Sequence, residues 1–122
     1  MSRLEASMRI VLEFKEAFNR HDVTEMIELL SDDCVFENNA PAPDGSVIAG
    51  KESMAQFWGD FFKASPQARI EIEEIFSAGL RCVMRWRYEG EDTAGFTDQM
   101  RGVDLFKVEN GSIRERMSYV KG

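Results

Sequence analysis

The stretch NRHDVTEMIELLSDDCVFEN, residues 19–38, contains a junction, a short helix and the strand that follows it. Asp22 stands three residues before Glu25, a capping-box-like pattern that begins a helix. Residues 34–38 are typical of a short strand, and His21 is predicted to be a solvated residue at the junction before the helix. Apolar residues at helical spacing give the short helix an inner face: Val23, Met26, Ile27 and Leu30.

Two longer amphipathic helices are predicted on either side of this stretch. Residues 3–20 place apolar side chains at helical spacing, and a loop containing Pro41 and Pro43 follows the short strand. After Gly50 a third helix is predicted, which ends before Pro66. The inner faces of the two helices consist of Leu4, Met8, Val11, Phe14 and Phe18, and of Met54, Phe57, Trp58, Phe61 and Phe62.

From Ala68 onward the apolar period changes to two, which predicts strands. The run RCVMRWRY, residues 81–88, places Cys82, Met84, Trp86 and Tyr88 on one face and its arginines on the other. We expect Arg85 and Arg87 to pair with Glu73 and Glu71 of the preceding strand. Strict alternation would turn Glu74 inward, so a bulge near Ile75 is predicted.

The C-terminal part of the sequence predicts a hairpin. Residues 98–109 and Ile113 to Val120 form its strands, and Asn110-Gly111 is a strong turn signal. Three helices with one short strand among them therefore precede a meander of four strands. This order indicates the α+β class, with the helices packed on one face of a curved antiparallel sheet.

Composition narrows the classes of function. The 122 residues suit one domain, 1–122, and the net charge of −7 argues against binding to nucleic acid or to anionic membranes. The N-terminal residues MSRLEASMR lack the apolar core of a signal peptide, so a cytoplasmic protein is expected. Cys34 and Cys82 are expected to be buried, reduced thiols, and with one histidine they make a metal site improbable on composition.

The order of elements, with Asn19, Asp22, the Asp32-Asp33 pair and Glu37 at their spacing, resembles the nuclear transport factor 2 superfamily. The sequence is most similar to the branch of ketosteroid isomerases and SnoaL-like polyketide cyclases. The resemblance implies a cone in which the sheet wraps over the helices and leaves an apolar pocket. It also implies a homodimer and a small apolar ligand.

The resemblance implies a site residue by residue. Ketosteroid isomerases use a tyrosine on the first helix, where this chain has Phe14, and a carboxylate base after the first strand, where it has Asn38. Their third polar residue is matched by Asp104. Because an amide cannot accept a proton at neutral pH, true ketosteroid isomerase activity is not expected.

Asp104 lies in an otherwise apolar strand, where a carboxylate is costly unless it is paired or protonated. SnoaL-like cyclases use a pocket aspartate as acid and base without a cofactor, and burial would favour a neutral Asp104 in that role. The alternative is a structural carboxylate paired with Arg101 or Arg116. Limonene epoxide hydrolases use an Asp–Arg–Asp triad, but Arg101 and Asp104 are three residues apart, on opposite faces of a regular strand.

The register of the last hairpin decides which of its side chains reach the pocket. A tight turn places Asp104 opposite Met117 and directs Met117 and Tyr119 inward, whereas a bulge would place it opposite Arg116. We favour the tight turn. The predicted pocket then consists of Phe14, Phe36, Trp58, Met84, Trp86, Phe106, Met117 and Tyr119.

Two functions follow from this site. The first is a cofactor-free enzyme that acts on a small apolar carbonyl compound, in which Asp104 transfers the proton and Asn38 orients the substrate. The second is a binding or scaffold module of the same fold, in which the pocket holds a ligand without turnover or is filled by its own side chains. No cofactor and no metal are expected in either case.

Overall fold

Three helices pack against a six-stranded sheet in the computed structural model, which describes residues 3–38, 44–91 and 97–121. The sequence prediction of the α+β class and of three helices on a curved sheet is confirmed. The elements are α1 (Arg3–Asn19), α2 (Val23–Glu28), β1 (Leu30–Glu37), β2 (Val47–Ala49), α3 (Lys51–Ala64), β3 (Arg69–Ala78), β4 (Arg81–Glu91), β5 (Thr97–Glu109) and β6 (Ser112–Val120).

The sheet is open and mixed, with the strand order β2-β1-β6-β5-β4-β3. All neighbours are antiparallel except β1 and β6, which run parallel. The first strand begins at Leu30, four residues before the predicted start, and the edge strand β2 was not predicted. The parallel pair is formed by strands far apart in sequence, which no local pattern encodes.

The junction between α1 and α2 is tied to the sheet. Asn19 at the end of α1 donates from Nδ2 to the carbonyl of Ile70 at 2.9 Å and accepts from its amide at 2.8 Å. Asp22 caps α2 as predicted, because its side chain accepts from the amide of Glu25. His21 is partly buried rather than solvated: Nε2 lies 2.7 Å from the carbonyl of Ala68, and the ring stacks on Phe62.

The core lies between the helices and the inner face of the sheet. Both cysteines are free and buried in it, as predicted, and burial raises the pKa of each thiol above its ordinary value. The largest fully buried side chains are Phe36, Phe106, Met26, Leu30, Met54, Ile113, Val11, Cys34 and Cys82. Among the helices of the described ranges, none is long and apolar enough to cross a bilayer.

A bulge in β3 directs its acidic side chains outward. The register shifts between Ile72 and Glu74, close to the predicted position, and Glu74 is exposed. Glu73 accepts two hydrogen bonds of 2.9 Å from Arg101, and these bonds hold the pKa of Glu73 below its ordinary value. Arg85 lies 3.6 Å from Glu73, as predicted, and 3.3 Å from Glu74. Glu71 lies opposite Arg87, but the predicted ion pair between these two described residues does not form.

A second bulge, in β6, overturns the predicted register of the hairpin. Val108 pairs with Ile113 but Lys107 pairs with Glu115, so one residue of β6 is extra at this point. Asp104 consequently lies opposite Ser118, and Phe106 opposite Arg116. The inward-facing residues of this part of β6 are therefore Arg116 and Ser118, and the prediction that Met117 and Tyr119 face the pocket is wrong.

Candidate functional site

A cavity of about 450 Å³ lies between the helices and the concave face of the sheet. Aromatic rings dominate its walls, which are mainly apolar, as is typical of small-molecule sites. The lining side chains come from both long helices, from the end of β1 and from the strands: Phe14, Lys15, Phe18, Asn38, Ser46, Phe57, Trp58, Phe61, Ser65, Ile70, Met84, Trp86, Tyr88, Met100, Asp104, Phe106 and Arg116.

Asp104 is the buried acid of this cavity, with 3% of its surface exposed. Its Oδ1 accepts a hydrogen bond of 2.9 Å from Nε1 of Trp86, and its Oδ2 accepts one of 2.9 Å from Nε of Arg116. Each carboxylate oxygen therefore has a donor, which offsets the cost of burying the carboxylate. The alternative of pairing with Arg116 is the one that the structure contains.

Gly102 makes the indole position possible. It lies opposite Trp86 across the β4–β5 pair, and a Cβ at this position would lie 2.6 Å from the indole ring. The absence of a side chain thus leaves room for Trp86 to lie flat along the strand pair and reach Asp104, two residues further along β5.

Arg116 connects Asp104 to Asn38 through hydrogen bonds. Its Nη1 donates to Oδ1 of Asn38 at 3.0 Å, and the guanidinium lies 5.1 Å from the ring centre of Phe36 and 5.6 Å from that of Trp58. Contacts of this kind favour a cation above an aromatic face. A continuous chain therefore runs from Trp86 through Asp104 and Arg116 to Asn38, across β4, β5, β6 and the end of β1.

Most of the side chains predicted to form the pocket do line it: Phe14, Trp58, Met84, Trp86 and Phe106, with Asp104 and Asn38. Three do not. Phe36 is fully buried beneath the wall, where its ring packs against Phe14 and Arg116. Met117 lies on the opposite face of the sheet in a shallow groove, and Tyr119 is 53% exposed.

Arg116 is the main residue of the site that the favoured sequence prediction placed on the outer face of the sheet. One signal pointed to it: Ile113 and Val120 are both apolar and seven residues apart, so they cannot share a face of a regular strand. Ile113 is fully buried and Val120 packs against the core, which the extra residue in β6 makes possible. Arg101 pairs with Glu73 on the outer face, so no Arg101–Asp104 pair of the epoxide hydrolase kind forms.

Within the described ranges, no three metal-ligating side chains cluster in a way that could hold an ion. Two buried donors of the pocket wall, Nδ2 of Asn38 and Nε1 of Trp58, have no hydrogen-bond partner among the described residues. The site can thus offer a carboxylate, a guanidinium and N–H donors to a molecule in an otherwise apolar cavity.

The three helices on an open curved sheet, with a pocket between them, define a protein of the NTF2-like α+β cone class. Residues 11–116 match the SnoaL-like domain family, and the chain belongs to that family. No curated protein matches the sequence. The homodimer implied by the resemblance, and the absence of a cofactor, stay predictions.

Solved structures support the family. An NTF2-like protein of unknown function from Mesorhizobium loti is 39% identical over 100% of this chain and 96% of its own, with a TM-score of 0.84. A Mycobacterium tuberculosis protein in complex with estradiol-17beta-hemisuccinate is 26% identical over 93% of this chain and 92% of its own, with a TM-score of 0.82. An LEH-like epoxide hydrolase of the same organism is 20% identical over 98% and 86%, with a TM-score of 0.85, and shares the fold.

Proposed function

We propose that this protein binds a small, largely apolar carbonyl compound in the pocket and transfers a proton with the Asp104 carboxylate, without a cofactor. The observation that carries the proposal is a buried carboxylate on the wall of an apolar cavity of about 450 Å³. Small organic ligands are compatible with the family, since a relative 26% identical is in complex with estradiol-17beta-hemisuccinate.

Asp104 is the proposed base because it is the one carboxylate among the described residues that line the cavity. A carboxylate has about four lone-pair sites, and the bonds from Trp86 and Arg116 use two of them. The base would take a proton from the carbon next to the carbonyl. In an isomerisation it would return the proton to another carbon, and in a ring closure the deprotonated carbon would form a bond to a second carbonyl carbon, whose oxygen would take the proton. Nearby N–H groups would stabilise the enolate oxygen.

The proposed reaction differs from that of a ketosteroid isomerase in the location of its groups. Phe14 and Asn38 occupy the places of that enzyme's tyrosine and base, so neither of its proton-carrying side chains is available there. The proton would instead be transferred by Asp104 on β5. Hydrogen bonds from Trp86 on β4 and Arg116 on β6 fix the direction of its carboxylate.

The test is turnover of a panel of small apolar carbonyl compounds and epoxides by the wild type, Asp104→Asn and Glu73→Gln. Glu73 is a matched control, since it also accepts from an arginine but on the outer face. We expect turnover of a carbonyl compound that falls by on the order of a hundred- to ten-thousand-fold in Asp104→Asn and stays unchanged in Glu73→Gln. Turnover of none of the compounds, or an unchanged rate in Asp104→Asn, contradicts the proposal.

A second candidate is a ligand-binding protein without turnover. It is favoured by the hydrogen bonds that both oxygens of Asp104 already accept, a pattern also typical of a structural ion pair. A carbonyl compound that binds tightly and is recovered unchanged after prolonged incubation with the wild type would favour the ligand-binding protein over the enzyme.

A further inference from the structure

Two N–H donors in the wall of the cavity make no hydrogen bond to the described residues. Nδ2 of Asn38 and Nε1 of Trp58 are buried and have no partner among the described residues, and Trp58 is 5% exposed. The assignment of the amide follows from its bond, because Oδ1 of Asn38 accepts from Arg116 and Nδ2 is therefore the free end. A buried donor without a partner costs about 1–3 kcal/mol, so two in one wall are unusual.

Arg116 brings these donors into one cluster. Its Nη1 bonds to Asn38 at 3.0 Å and its guanidinium lies 5.6 Å from the ring centre of Trp58. Its Nε bonds to Asp104 at 2.9 Å. The three side chains come from β6, the end of β1 and α3, and all of them line the cavity.

The charged side chains of the cavity lining are all paired. The charged side chains that line the cavity are Arg116, Lys15 and Asp104. Arg116 pairs with Asp104, and Lys15 lies 3.1 Å from Glu16. The charge of Asp104 is compensated by its bonds to Arg116 and Trp86. A ligand that supplied acceptor oxygens with negative charge would therefore meet the N–H donors of Asn38 and Trp58 beside a guanidinium, and no uncompensated acid.

We propose that Arg116, Asn38 and Trp58 form a subsite for the carboxylate of the ligand, and that the ligand is a small apolar carboxylic acid or keto acid. This inference rests on the proposed function in that it takes the cavity to be the ligand site. It adds the position of the ligand's charged end, which is next to Trp58 and Asn38, with the apolar body against the aromatic walls. A guanidinium with flanking N–H donors suits a planar carboxylate better than a single neutral oxygen.

The test compares two ligands with the same apolar body, adamantane carboxylate and adamantyl methyl ketone. Binding is followed by fluorescence, since the chain has two tryptophans and both line the cavity. We expect the carboxylate to bind about tenfold more tightly than the ketone to the wild type. Trp58→Phe keeps an aromatic ring but removes the N–H, and we expect it to weaken carboxylate binding about tenfold and ketone binding less, with Trp86 as the remaining reporter.

Asn38→Asp is a second, isosteric variant that replaces the free donor with a negatively charged acceptor. We expect it to weaken the carboxylate more than the ketone, whereas Tyr119→Phe, an exposed ring that also loses one polar group, should change neither. Ketone binding as tight as carboxylate binding, absence of carboxylate binding, or an equal effect of Trp58→Phe on both ligands overturns the inference. Preference for the carboxylate without any turnover would overturn the proposed reaction alone, and turnover of neutral ketones without that preference would overturn the subsite alone.

Discussion

Asp104 and Arg116 are the two buried charges on which the site depends. Arg116 is 9% exposed and Asp104 3%, and the bond between them is 2.9 Å long. Burying either charge alone is far more costly than burying the pair, because the partner supplies the interaction that water would otherwise provide. The sequence predicted Asp104 in the pocket and left open whether it is a functional acid or a carboxylate paired with Arg101 or Arg116. The structure contains the pair with Arg116.

Removal of Arg116 should destabilise the fold more than removal of both charges. In Arg116→Met the carboxylate of Asp104 stays buried with the indole N–H of Trp86 alone, and we expect the free energy of unfolding to fall by about 3–5 kcal/mol. The double variant Asp104→Asn/Arg116→Met leaves no buried charge at this position and should lose less. Urea denaturation of the three proteins measures this, and a loss under about 1 kcal/mol in Arg116→Met would mean that the pair is not buried in solution.

At the scale of the elements, the apolar periodicity predicted the helices and strands, because it depends only on residues that are neighbours in sequence. The helices and the strands β3 to β6 lie close to their predicted bounds, because apolar spacing of 3.6 or 2 residues reports which face is buried. The extra residue in β6 was not predicted from the turn, since Asn110-Gly111 indicates the hairpin but not the register beyond it. One added residue turned Arg116 and Ser118 inward in place of Met117 and Tyr119, which placed a guanidinium beside Asp104 in a pocket that stays mainly apolar.

The packing of the Trp86 side chain against β5 depends on Gly102. A Cβ at this position would meet the backbone carbonyl of Tyr119 and lie 2.6 Å from the ring of Trp86, so Gly102→Ala should displace the indole from Asp104. We expect a loss of about 1–3 kcal/mol in the free energy of unfolding and a shift in tryptophan emission. The matched control is Gly59→Ala in α3, where a Cβ meets nothing within 4 Å and alanine favours the helix. Equal stability of the two variants would contradict the close packing described for Gly102.

At the scale of the whole molecule, the core connects stability to pH through its two thiols. Burial raises the pKa of both Cys34 and Cys82, so the folded protein keeps these thiols protonated at a pH where the unfolded chain begins to lose the protons. The unfolded state then binds fewer protons than the native state, and stability falls as pH rises above about 8.5, the usual thiol pKa in an unfolded chain. Below that pH the thiols add no dependence.

The free energy of unfolding, measured by urea denaturation between pH 7 and pH 10, should therefore decrease more steeply for the wild type than for the double variant Cys34→Ala/Cys82→Ala. The comparison removes the contribution of lysines and tyrosines, which both proteins share. Curves that run parallel over this range would show that the thiols are accessible to water in the native state.

The whole molecule also sets the limits of what the sequence could predict about function. The α+β order and a buried acid at Asp104 were predicted from the sequence, and the chain belongs to the SnoaL-like domain family. The arrangement of Trp86, Asp104, Arg116 and Asn38 joins four separate strands or strand ends, and it required the register of each.

Hydrogen exchange at carbon tests the proposed role of Asp104 most directly, because it reports proton removal without requiring that the product be known. Small apolar ketones are incubated with the protein in heavy water, and the loss of the hydrogens next to the carbonyl is followed by NMR. We predict that the wild type accelerates exchange of at least one ketone and that Asp104→Asn, folded and with its pocket intact, returns the rate to that of buffer. Exchange at the buffer rate with the wild type, or equally fast exchange with Asp104→Asn, would contradict the assignment of Asp104 as the base.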